Sequence, residues 1–207
     1  MRFAEPIISE EQLRAVTGSP APRALGKEIK SLDVHCRAII SKSPFVLISS
    51  CDAGGRMDVS PKGDPPGFVQ VLDESTLAIP DRPGNRRADT FRNVLQNPRV
   101  GLLFLVPGRS ETLRVNGRAV IVRDPDLRER MTVNGKRPEL ALVVSAEEVF
   151  VHCGKCMLRS RLWARDAWPD VTGLPSHARC LVDHAGLAQP LEAIEASVRE
   201  SYENRLY

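Results

Sequence analysis

From Lys27 to Ser41 the apolar residues Ile29, Leu32, Cys36, Ile39 and Ile40 recur three or four positions apart. This spacing predicts an amphipathic helix that stops before Ser43-Pro44. The pattern changes at Phe45. FVLISS, MDVSP, FVQVL, TLAIP, VGLLFLV, ETLRVNGRAVIV and EVFVHC are short runs rich in β-formers, separated by Gly, Pro and polar clusters, and they read as strands. In ETLRVNGRAVIV, Leu113, Val115, Ala119 and Ile121 alternate with Thr112, Arg114, Asn116 and Arg118, so one face is buried and the other polar. Between TLAIP and VGLLFLV, Asn85 is a favourable N-cap for a helix whose buried side is Ala88, Phe91, Val94 and Leu95. A short helix is expected before Val16, another from Pro125 to Thr132, and a last one in PLEAIEASVRESYENRLY, where Leu191, Ile194, Val198 and Tyr202 form a stripe. About six closely spaced strands with a few helices point to a small barrel in an α+β, mainly β, chain. We read residues 1–207 as one domain, with 1–26 as an N-terminal extension and 170–207 as a C-terminal extension carrying a helix.

Composition narrows the classes. The formal charge of +3 is a small excess of 29 basic over 26 acidic residues, which favours neither a nucleic-acid stripe nor a membrane-binding face. Aromatics make up 5% of the chain, too few for a base-stacking platform. MRFAEPIISEEQLRAV has acids where a signal peptide needs a basic and then an apolar region, so a cytoplasmic protein is expected. Its five cysteines then read as reduced thiols. No Ser-His-Asp order, dinucleotide-binding glycine pattern or P-loop is present.

Three stretches can carry chemistry. In NRRADTFRNVLQ, Arg86 and Arg87 fall in the expected first helical turn, where the macrodipole disfavours cations unless an anion offsets them. A phosphate and an ordinary ion pair with Asp89 or Asp81 both answer that need. In RMDVSPKGDPPGFV, Ser60, Lys62 and Gly63 supply a hydroxyl, a cation and a flexible backbone, which suits a phosphorylated ligand and also ordinary turns. In HCGKCMLRSRLW, Cys153-x-x-Cys156 stands beside His152, with His177, Cys180 and His184 downstream. The ligand types suit zinc, but the spacing matches no standard site, and no metal is assigned.

In order along the chain, SPKGDPPGFV, PDRPGNRRADT, NPRVGLLFLVPG, ETLRVNGRA and KCMLRSRLW resemble the pyridoxamine 5′-phosphate oxidase-like superfamily of FMN-binding split β-barrels, and more narrowly a subfamily of FMN-dependent enzymes. The resemblance implies a six-stranded split β-barrel with flanking helices, FMN as cofactor, a homodimer with FMN at its interface, and oxidoreductase activity on a small organic substrate. It places Arg56, Met57, Asp58, Val59, Ser60 and Lys62 along the flavin, Ile79 and Pro80 at the next strand end, and Asn85, Arg86 and Arg87 on the phosphate. An extra helical turn before Asn97-Pro98 leaves Arg82, Arg86 and Arg87 all open as the main phosphate contact. Thr112 is placed at the ring, and Lys155, Arg159, Ser160 and Trp163 at the flavin edge. Trp163 and Arg159 equally suit half-buried packing. A flavin-binding module without turnover is one alternative; wider relatives also bind haem or a deazaflavin, which implies a second, with His152 or His35 as haem ligand. The chain lacks the C-terminal Arg-x-His of true pyridoxamine phosphate oxidases, so that activity is not carried over.

Overall fold

Side chains alternate between two faces along every long strand, and this sorts the chain into a core side and an open side. In β1 (Phe45–Cys51), Val46, Ile48 and Ser50 are buried while Leu47 and Ser49 face the other way. The computed structural model describes residues 3–207 and shows an α+β architecture of one seven-stranded antiparallel sheet with flanking helices. The strands are β1, β2 (Met57–Gly63), β3 (Gln70–Val71), β4 (Thr76–Pro80), β5 (Arg99–Leu105), β6 (Thr112–Val122) and β7 (Ala141–His152), in the spatial order β2-β1-β5-β6-β7-β4-β3.

The count is seven, not six, and β2 and β3 at the two edges are not hydrogen-bonded to each other. The connection between them explains this. Asp64-Pro65-Pro66-Gly67 holds two residues that cannot donate a ladder bond, and only two residues of FVQVL pair, as β3. The β1–β2 hairpin closes through Asp52, whose carboxylate accepts from the backbone N–H groups of Gly54 and Arg56, both at 2.9 Å.

Eight α-helices flank the sheet among the described residues. Near the N-terminus α1 (Glu10–Thr17) and α2 (Pro22–Leu25) bury no residue. The expected helix over 27–41 begins only at Val34, as α3 (Val34–Lys42). Asp33 caps it by accepting from Cys36 N–H at 2.8 Å, and the preceding residues form turns and bends, with Ile29 alone bridging Val149. A capping carboxylate thus overrides the apolar spacing upstream. Cys36, Ile39 and Ile40 of α3 cover the core made by Val46, Ile48, Val100, Leu102, Phe104, Leu113, Val115 and Val149. The next helices are α4 (Asp89–Gln96), which packs on β1 and β2, α5 (Pro125–Arg130), and α6 (Lys155–Ser160), which follows β7. The C-terminal pair, α7 (His177–Ala185) and α8 (Leu191–Asn204), pack on each other, which answers the apolar stripe of the tail except at exposed Tyr202.

The long β6–β7 pairing carries an irregularity at Asn116/Gly117. A Cβ on Gly117 would collide with the Ser145 carbonyl oxygen, so the backbones approach as only glycine permits. Gly117→Ala is therefore expected to destabilise the fold by about 2–3 kcal/mol in urea denaturation, with an unchanged slope against denaturant.

Candidate functional site

Edge strand β2 separates its side chains into two surfaces. Asp58, Ser60 and Lys62 are half-buried beneath α4, and Met57, Val59 and Pro61 are exposed on the other face. Under α4, Asp58 Oδ2 accepts from the Ser60 hydroxyl at 2.9 Å and from the Thr90 hydroxyl at 3.0 Å. The Lys62 ammonium lies 4.0 Å from Asp81 Oδ1 and 5.9 Å from the centre of the Phe91 ring. Burial pushes the Asp81 carboxyl up from its ordinary value, against the charges of Lys62 and Arg82.

The paired arginines are not in the first turn of the helix. α4 begins at Asp89, an acid that suits the positive end of the macrodipole, and the cap position belongs to Ala88, without a side-chain cap bond. Arg86 and Arg87 lie in the loop before it. Asn85 does not cap the helix; its side-chain oxygen accepts from Arg87 N–H at 3.0 Å. Starting the helix late removes the repulsion that the sequence pattern implied. It also turns the buried side of α4 to Thr90 and Val94, leaving Ala88 and Leu95 exposed. Arg86 and Ala88 have left-handed φ values of 60° and 54°, unusual for residues with a Cβ, and such strain clusters at ligand clamps.

The three candidate arginines have different surroundings. Arg82 is committed to the fold: its Nε donates to the almost fully buried Asp64 carboxylate at 2.6 Å, and its Nη2 donates to the Met131 carbonyl at 2.8 Å. Tyr207 donates to the other Asp64 oxygen at 2.6 Å, which raises the phenol's pKa. Arg87 pairs with Asp89 at 2.7 Å and is otherwise exposed. Arg86 makes no side-chain hydrogen bond or ion pair among the described residues.

The remaining expected positions are spread more widely. Arg56 projects from the β1–β2 turn toward Asp52. Ile79 and Pro80 are buried in β4, so only their backbone can meet a ligand. Thr112 is buried at the start of β6, opposite His152. Lys155, Arg159 and Ser160 are exposed on α6, and the half-buried Trp163 donates its indole N–H to the Arg109 carbonyl at 2.8 Å, a packing role.

On the open face of the sheet a cavity of about 290 Å³ is lined by Leu47, Val59, Leu103, Arg114, Asn116 and His152, among others. It joins β2 to the end of β7. Arg114 pairs with Glu148 and lies over the Phe150 ring at 3.9 Å, while Lys27 sits 4.7 Å from the centre of the same ring. Sequence reasoning placed Arg114 and Asn116 on a polar face and saw His152 only as a metal or haem ligand. The alternation of ETLRVNGRA against EEVFVHC held the signal, but only with the register of the two strands known. His35 is exposed on α3 and lies outside this cavity. Among the described residues no group of three or more His, Cys, Asp or Glu is arranged as a metal set, and no helix is long and apolar enough to cross a membrane.

Residues 32–153 match the family model of pyridoxamine 5′-phosphate oxidase, well over half of the chain. The chain belongs to that family. Solved structures similar to it include HupZ from Group A Streptococcus, at 16% identity and TM-score 0.47, covering 57% of this chain and 92% of that one. Others are an FMN-binding protein from Syntrophomonas wolfei, at 11% identity and TM-score 0.44 over 59% and 91% of the two chains, and the haem-storage protein HutZ from Vibrio cholerae, at 15% and 0.41 over 58% and 93%. No curated protein matches the chain.

Burial, and then the charges of Arg114 and Lys27, hold the His152 imidazole below its ordinary value of 6.5. The unfolded chain therefore takes up this proton at a higher pH than the folded oxidase-family chain does. The stability linked to His152 is fully present above the unfolded value and is lost as pH falls from there toward the folded one. In an NMR titration His152 should show a midpoint below 6.5, and Arg114→Gln should move that midpoint upward.

Proposed function

We propose that this chain is an FMN-dependent oxidoreductase that acts on a small organic substrate as a cytoplasmic homodimer. We read its sheet as the family's split barrel, with the two-residue β3 as an addition at one edge. The observation that carries this reading is the loop before α4 in a chain of the oxidase family. There Arg86, itself left-handed and without a partner among the described residues, stands beside Arg87, which is followed by the left-handed Ala88 at the start of α4.

The residues fit a phosphate monoester. Arg86 has a free guanidinium for bidentate binding, and the left-handed Ala88 followed by helical Asp89 turns backbone N–H groups to one side, as in anion-binding nests. Lys62 adds a second cation under α4. Asp58 holds the Ser60 and Thr90 hydroxyls in place, and Arg87 exchanges its Asp89 partner for the phosphate or holds both. Arg82 is left out of the clamp because Asp64 already uses its charge. Bound FMN supplies the two-electron redox chemistry, so the protein's part is to orient the ring and exclude water. Val59 and the cavity that reaches His152 offer the apolar wall and polar rim for this, and the exposed Met57 and Val59 give a partner copy a surface to cover.

Two measurements test the reading. Arg86→Ala/Arg87→Ala should weaken FMN binding at least about tenfold in a fluorescence titration, corresponding to the loss of one or more charge-assisted hydrogen bonds, with unchanged far-UV circular dichroism. Equal affinity would remove the loop from the site. The flavin-loaded protein should be reduced by NAD(P)H and reoxidised under turnover. Tight binding without reduction would make it a flavin-binding module, and a Soret band on adding haemin without flavin uptake would transfer the cavity to haem, with His152 as ligand.

A further inference from the structure

We infer that Cys153 and Cys156 are a redox-active dithiol that closes to an internal disulfide, with low-molecular-weight disulfides as the reacting partner class. This does not depend on the flavin reading. The five thiols have different surroundings. Cys36 is buried in the core, where burial and the neighbouring Asp33 push its thiol up to about 12, Cys51 is half-buried and accepts from Asn97 at 2.9 Å, and Cys180 is half-buried in α7. Cys153 and Cys156 alone among the described cysteines are exposed.

Their backbone is suited to closure. Gly154 has φ −74° and ψ 1°, and its carbonyl accepts from Leu158 N–H at 2.9 Å, so the chain is already winding between the two cysteines. Cys153 stands one residue before the Gly154 cap position and Cys156 in the first turn of α6, so the chain turns back between them. A disulfide needs a Cα separation of about 4.4–6.8 Å and a somewhat shorter Cβ span, a reach open to two residues three apart across a turn. The turn is also anchored to the β5–β6 loop at both ends. A Cβ on Gly154 would meet Ser110 Cβ at 2.5 Å, so the glycine lies flat against that residue, and beyond α6 the Trp163 indole is tied to Arg109. Anchoring lowers the entropic cost of bringing the sulfurs together.

The exchange balances. One thiolate attacks the small disulfide RSSR, forming a mixed disulfide and releasing RS⁻. The second attacks the protein sulfur of that mixed disulfide, forming the Sγ–Sγ bond and releasing another RS⁻. The two protons of the cysteines end on the released thiolates, so the protein loses two hydrogens and RSSR becomes two RSH.

The test incubates the reduced, folded full chain with excess glutathione disulfide, with and without added FMN, followed by alkylation and peptide mass spectrometry. The wild type should lose two hydrogens in one peptide spanning both cysteines, and the internal form should exceed glutathione adducts at least about tenfold. C153S and C156S should each carry one glutathione on the remaining cysteine, which shows that the partner is accessible and that both sulfurs are needed. Glutathione adducts or chain-to-chain links in place of the internal bond would overturn the assignment, as would thiols that stay unmodified in the folded protein. Failure to bind FMN leaves this readout unchanged, so the two readings fail separately.

Discussion

The two-residue period of a strand is the constraint from which the rest of this structure follows. It fixes that Val46, Ile48, Leu102, Phe104, Leu113 and Val115 meet on one side of the sheet, where α3 seals them. By the same rule Leu47, Leu103, Arg114 and Asn116 must share the opposite side, where among the described residues no helix residue lines the cavity. At the edge strand the rule gives β2 a polar row under α4 and an apolar row beside the cavity. The two rows face opposite sides of the sheet, so β2 presents its charges and its apolar side chains to different surroundings.

Charge placement follows a second rule, that a buried or helix-terminal charge needs an opposite partner. Arg82 is enclosed with Asp64, an arrangement that would be costly if either partner were removed alone. Asp89 occupies the start of α4 and displaces the two arginines into the loop, where the backbone takes up left-handed strain instead. Surface pairs such as Arg99 with Glu147 contribute little by comparison.

Much of this was legible in the sequence because the signals were local. The runs FVLISS, VGLLFLV and ETLRVNGRAVIV became β1, β5 and β6, and the C-terminal stripe found its partner in α7. The family also lay in the order of the motifs, and 32–153 matches its model. What the sequence hid was set by contacts distant along the chain. Residues 27–33 follow helical spacing, but Ile29 bridges Val149 and the chain around it turns and bends. Arg82 looked like its neighbours until Asp64, eighteen positions earlier, was seen to hold it. The open-face cavity depends on β6–β7 register, which no window of one strand contains.

Tyr207 gives the C-terminal helices a mechanical role. Its hydroxyl bridges 143 positions of sequence to Asp64, which sits two residues past Lys62 and shares its carboxylate with Arg82. The far end of the α7–α8 hairpin is therefore fastened to the segment after β2. The tail thus meets the connection that follows β2 through the phenol–carboxylate hydrogen bond and through Arg82, which lies over the Tyr207 ring at 5.5 Å.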